Sequence, residues 1–166
     1  MHPAALPVER LLADCIVRRM RRSGPGGQHR NKVETAVAIE HAPTSISAEA
    51  SERRSAEENR KVALLRLRLR LAVEVRQPLV CDYQPSLLWR SRCRNGRIAV
   101  NPQHEDFPAI LAEVLDVVSG CNNETKAAAA ILGCTPSQLT KLLQLEPRAI
   151  AAVNLWRARE GLHKLK

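Results

Sequence analysis

The chain has 166 residues, 45% of them hydrophobic and 26% charged, and reads as a soluble globular protein of one compact domain or two small ones. Lys plus Arg number 26 against 17 Asp plus Glu, a formal charge of +9 and a pI near 10.0, which favours a polyanionic partner such as nucleic acid. No apolar run approaches the ~18 residues of a membrane-spanning helix, 2% aromatic content excludes a stacking platform for single-stranded RNA, and five cysteines without a C-x-x-C pair exclude a disulfide scaffold or zinc ribbon.

The opening Met1-His2-Pro3, with Glu9 and Asp14 close behind, lacks the apolar core of a secretory signal. Reduced thiols fit a cytoplasmic setting. Residues 13–20 contain the β-prone Cys15-Ile16-Val17 and read as a strand that runs into a glycine-rich stretch. Residues 35–40 are again strand-like, Ala42-Pro43-Thr44-Ser45 supplies a turn, and a third short strand is expected over 46–50. A small antiparallel sheet follows from these three.

Residues 51–76 pose a conflict. Leu65-Arg66-Leu67-Arg68-Leu69-Arg70-Leu71 alternates with period two, the pattern of a strand. Yet no breaker lies between Ser55 and Pro78, and a strand of ~20 residues is far outside the usual range. Ser55 with Glu58 forms a capping-box pattern, and Glu57 and Glu58 place negative charge in a first helical turn. A long helix is therefore expected. Val62, Leu65, Leu69, Ala72 and Val73 make one apolar stripe on it, and Leu64, Leu67, Leu71 and Val75 a second. Arg66 and Arg70 then share one polar lane, Lys61 and Arg68 the other.

Periodicity stops over residues 77–85, which read as a linker, and Asn95-Gly96 signals a hairpin within 88–100. From 106 onward the pattern is helical, with helices expected over 106–118, 124–132, 136–144 and 147–160. Gly120, Gly133 and Gly161 are the expected stops, and Thr135 is the N-cap before Pro136. The fold class is α+β: a small antiparallel sheet packed on a long helix, followed by a mainly helical C-terminal module. Its divisions are 1–76, a linker and hairpin over 77–104, and the helical module over 105–166.

The chemistry concentrates in Arg22-Ser23-Gly24-Pro25-Gly26-Gly27-Gln28-His29-Arg30-Asn31-Lys32-Val33-Glu34-Thr35-Ala36-Val37. Clustered glycine lets a backbone approach a ligand closely, at an entropic cost that a merely structural loop has little reason to bear. Gln28 offers an N–H and a neutral amide, neither of them a strong base. No Ser-His-Asp, metal-ligand or paired-carboxylate arrangement is evident, and no cofactor is implied. His29 is the nearest titratable group.

This string resembles the catalytic domain of class I peptide chain release factors and the related ribosome-rescue hydrolases. The resemblance continues through His41-Ala42-Pro43-Thr44-Ser45-Ile46, Arg53-Arg54-Ser55 and Asn59-Arg60, and so covers about residues 14–75. Three positions depart from the family pattern: Arg30 stands where an apolar residue is usual, Ser45 replaces a common glycine, and Ala56 replaces a glutamine. What the resemblance implies is hydrolysis of the ester between a nascent peptide and tRNA, with the ribosome's peptidyl-transferase RNA and peptidyl-tRNA as partners.

The implied catalytic residues are Gly26, Gly27 and Gln28. The Gln28 N–H would stabilise the oxyanion, a type of donor worth roughly 3 kcal/mol in other hydrolases, and the two glycines would aim it. Arg18, Arg19, Arg21, Arg22, His29, Arg30, Asn31 and Lys32 form the expected RNA-binding set, which would make binding fall with salt. Charge that blunts strand edges is the alternative reading of these side chains. The expected function is codon-independent rescue of stalled ribosomes by a monomer, because 166 residues leave little room for stop-codon-reading domains. The alternative is a non-catalytic nucleic-acid- or ribosome-binding protein.

That alternative draws on the C-terminal module, where Ala128-Ala129, Leu132-Gly133-Cys134-Thr135, Leu139 and Leu142 resemble a helix-turn-helix. Ser137, Gln138 and Lys141 would face a groove. A helical bundle with Ala128, Ile131, Leu132, Leu139, Leu142 and Leu143 as its core fits the same spacing. The chain ends with basic Arg157, Arg159, His163, Lys164 and Lys166.

Overall fold

Three antiparallel strands in the order β1-β2-β3 organise the first part of the molecule: Cys15–Met20, Ala36–His41 and Ile46–Ala50. The structure is a computed structural model that describes residues 1–21 and 34–166. Met1 and Pro3–Leu71 form one compact unit, and His2 with Ala72–Lys166 a second. In the first unit, Ile46, Ala48 and Ala50 of β3 are buried while Ser47 and Glu49 are exposed, the alternation of a sheet with one covered face. The central strand β2 buries Ala36, Val37, Ile39 and His41. Strand β1 is different: Ile16 and Val17 are 45% and 42% exposed.

A six-residue helix α1, Val8–Ala13, precedes the sheet, and α2, Ala56–Glu74, packs on it. Ser55 caps α2 by accepting the Glu58 N–H at 3.4 Å. The Leu/Arg alternation lies wholly inside this helix, so length and capping outweigh period two. Its buried line is Asn59, Ala63, Leu67 and Leu71, one residue per turn, while Leu65 and Leu69 are only half-buried.

Arg68 corrects the expected polar lane. Its side chain is buried, with Nε and Nη2 donating to the Ala4 carbonyl at 3.1 and 2.9 Å. Arg66 Nη1 donates to Glu49 O at 2.8 Å, and Arg70 donates to Ser47 O. These carbonyls belong to alternate residues of β3, so two arginines of α2 cap the outer edge of the sheet. Arg66 also pairs with Glu52, and that hydrogen bond holds the Glu52 carboxyl below the usual range.

The second unit contains α3 (Leu87–Arg92), α4 (Phe107–Gly120), α5 (Thr125–Leu132), α6 (Pro136–Gln144) and α7 (Pro147–Arg159). Helix α4 is apolar around most of its circumference and contacts α5, α6 and α7, as a helix covered on several sides must. Gly133 ends α5 with φ of +66°, and Thr135 Oγ1 accepts the Gln138 N–H at 3.3 Å, so the expected stop and cap both form. Gly120 is the last residue of α4, and close packing also requires a glycine there, since a Cβ would lie 2.6 Å from Leu79 Cβ. The left-handed turn after α4 is carried by Asn122 and Asn123, at φ of 51° and 63°.

The hairpin expected within 88–100 shrinks to β4, Cys93–Arg94, and β5, Arg97–Ile98, around Asn95 and Gly96 at φ of 50° and 72°. Residues 87–92 are helical instead. Ser86 caps them by accepting the Trp89 N–H at 3.0 Å, and the buried indole donates to Leu132 O at 2.7 Å.

Burial holds Asp116 above the usual carboxylate range and His2 below the usual histidine range. Asp116 Oδ1 accepts from Arg76 Nη1 at 2.8 Å and the Gln77 N–H at 3.0 Å. Among the described residues no helix is long and apolar enough to cross a membrane.

Candidate functional site

Strand β1 ends at Met20 and β2 begins at Ala36, and these two residues are partners in the antiparallel register. Their Cα atoms are therefore about 5 Å apart, and the sheet ladder closes the neck of the segment that carries Gly26, Gly27 and Gln28. Just beyond the ladder, Arg21 Nε lies 3.4 Å from Glu34 Oε1, with both side chains largely exposed. Such a pair contributes little to stability but joins the two arms of the neck.

The stronger anchor is Asn59, which is fully buried. Its Nδ2 donates to Thr35 O at 2.7 Å and to Arg53 O at 2.9 Å, and its Oδ1 accepts the Arg53 N–H at 2.9 Å. One amide thus ties together the residue that enters β2, the chain before α2 and α2 itself. A buried polar group satisfied in this way fixes its partners, because losing any one of them leaves an unpaired group in a dry site. Sequence reasoning quoted Asn59 as part of the family pattern without giving it a role. The signal was available: an asparagine stands on a helix line otherwise made of Ala63, Leu67 and Leu71.

Arg18 and Arg19 sit on β1 opposite Ala38 and Val37, both exposed. As consecutive strand residues they lie on opposite faces of the sheet, and Arg21 is the one of the three joined to Glu34. Gly26, Gly27, Gln28, Arg22, His29, Arg30, Asn31 and Lys32 lie outside the described residues.

At the other end of β2, the His41 Nδ1 and Thr44 Oγ1 atoms are hydrogen-bonded at 2.8 Å, and Thr44 Oγ1 accepts the Ile46 N–H at 3.4 Å. Ser45 follows with φ of 56°. Its departure from the family's glycine therefore falls on a left-handed residue, where glycine avoids a Cβ clash.

In the second unit, Ala128, Leu132, Leu139, Leu142 and Leu143 are buried as the bundle reading expects, whereas Ile131 is 40% exposed. Ser137 and Lys141 are exposed on α6, while Gln138 is half-buried with Oε1 accepting the Ile98 N–H at 3.3 Å. At the chain end Arg157 is buried, its Nε donating to His163 O at 2.8 Å and its Nη1 to Asn123 O. That arginine is structural. Among the described residues no three His, Cys, Asp or Glu side chains converge as metal ligands.

Residues 11–80 match the RF-1 domain. Peptide chain release factor 1 of Acidiphilium cryptum (strain JF-5) is 47% identical over 64 residues, which is 39% of this chain and 18% of that relative. The chain thus spans a small part of that curated relative, and its residues beyond 80 fall outside the family match.

Proposed function

Because residues 11–80 match the RF-1 domain, we propose that the protein hydrolyses the peptidyl-tRNA ester on the ribosome. The observation that carries this reading is the family match itself, which takes in Gly26-Gly27-Gln28. The neck built by the β1–β2 ladder and Asn59 supports it, since an oxyanion donor works only when its backbone is held before the reaction.

Water attacks the ester carbonyl, and the developing oxyanion accepts the Gln28 N–H. The carbon–oxygen bond to the tRNA ribose then breaks, the peptide leaves with a new carboxyl group, and the proton ends on the ribose hydroxyl. Gly26 and Gly27 permit the backbone geometry, and the Gln28 side chain restricts which nucleophile fits. Arg18, Arg19, Arg21, Arg22, Arg30 and Lys32 neutralise ribosomal RNA phosphates, and His29 and Asn31 complete the RNA-binding set. The protein acts in the cytoplasm as a monomer without metal or cofactor, on stalled complexes irrespective of the codon.

Ribosomes holding labelled peptidyl-tRNA on truncated mRNA, mixed with wild type or Gly26→Ala, test the proposal. Peptide release by wild type that Gly26→Ala abolishes while ribosome binding persists is the expected result. Binding by wild type without release overturns the hydrolase. Release confined to complexes with a stop codon in the decoding site overturns the codon-independent part.

A further inference from the structure

We propose that the β4–β5 hairpin and the exposed face of α6 form a docking surface for the phosphate backbone of double-stranded RNA. Arg94 and Arg97 flank the Asn95-Gly96 turn as direct register partners. Their Cα atoms are about 5.5 Å apart across a two-residue turn, and their side chains share one face. Like charges placed directly opposite each other destabilise a strand pair, and a two-stranded ribbon this short has little stability to spare.

Both arginines are exposed, and among the described residues neither has an acidic partner. Arg90, on the helix leading into the hairpin, is likewise exposed and without an ion pair among these residues. The contrast with Arg92 is direct, because Arg92 Nη2 is bonded to Asp106 Oδ2. An unneutralised pair held at fixed spacing is what two adjacent phosphates would complement.

The hairpin is also fixed against α6. The Ile98 N–H donates to Gln138 Oε1, and a Cβ on Gly96 would stand 4.0 Å from Thr135 Cγ2. This contact favours RNA over DNA. Gln138 is the carboxamide that would read a base edge in a DNA major groove, and its oxygen is already engaged by the protein's own hairpin. Of the three residues that would face a groove, Ser137 and Lys141 remain exposed, a hydroxyl and an ammonium suited to sugar and phosphate. Recognition through phosphates and 2′-hydroxyls is how duplex RNA is bound.

The surface lies beyond residues 11–80 and does not depend on the hydrolytic reading. The 166-residue protein is titrated with a labelled 16-base-pair RNA duplex and with a DNA duplex of the same sequence, at several salt concentrations. Arg94→Gln/Arg97→Gln is compared with Arg159→Gln/Lys164→Gln, which removes the same charge from exposed positions at the chain end.

The hairpin variant is expected to bind duplex RNA about tenfold more weakly, with the slope of log affinity against log salt reduced by about two. Its thermal midpoint should be unchanged or raised, since a repulsion has been removed. Gly26→Ala should bind the duplex as wild type does, even if it releases no peptide. Equal losses in the two double variants, DNA bound as tightly as RNA, or no duplex binding by wild type would each overturn the proposal.

Discussion

Helix α4 buries ten of its fourteen residues and is held by apolar contact on several sides, whereas α2 buries a narrow line and holds its neighbours through directed polar bonds. Arg66, Arg68 and Arg70 each reach a backbone carbonyl, and Asn59 reaches two. Apolar packing is non-directional and spread over many small contacts, so it sets how stable an element is. Directed hydrogen bonds are few and geometric, so they set where a particular piece of backbone lies. The two helices therefore separate stability from placement, and only the second bears directly on the segment that carries Gln28.

The sharpest test of that separation is Leu115→Ala in α4. Removing a fully buried leucine should cost about 3 kcal/mol, read from denaturant unfolding. Peptide release measured well below the unfolding transition should stay near wild type.

Asn59→Ala should behave in the opposite way. It leaves Thr35 O, Arg53 O and the Arg53 N–H without their partner, at a cost of about 2 kcal/mol, yet release should fall at least tenfold under conditions where the protein remains folded. The comparison fails if Asn59→Ala destabilises more than Leu115→Ala, or if release follows stability in both.

Ser45→Gly is the smallest effect. Relief of the left-handed serine should raise stability by up to about 1 kcal/mol, with release unchanged. An unchanged or lowered thermal midpoint would mean that the Thr44 hydrogen bonds already offset the strain.

Much of the fold was legible because it depends on local chemistry. Strand β3 begins after its turn residues, α5 ends at Gly133 and α6 begins after Thr135, and the length of α2 follows from the absence of breakers. The errors share a cause, which is a partner remote in sequence. Arg68 looks like a lane residue until Ala4 O supplies an acceptor sixty-four positions away. Residues 88–92 look extended until Trp89 finds Leu132 O. In the candidate site, the glycine-rich string lies outside the described residues, and the anchor at Asn59 needs Thr35 and Arg53 brought to the same point.

The arginine caps on β3 also give the sheet a one-way resistance to polymerisation. A foreign strand approaching that edge would have to displace the guanidinium groups of Arg66 and Arg70 from Glu49 O and Ser47 O before making its first ladder bond. Among the described residues no strand pairs with the outer side of β1, but a stack of copies there in parallel register would bring Arg18 over Arg18 and Arg19 over Arg19 every ~4.8 Å. Fibril growth is thus opposed by occupied acceptors on one side and by charge repulsion on the other.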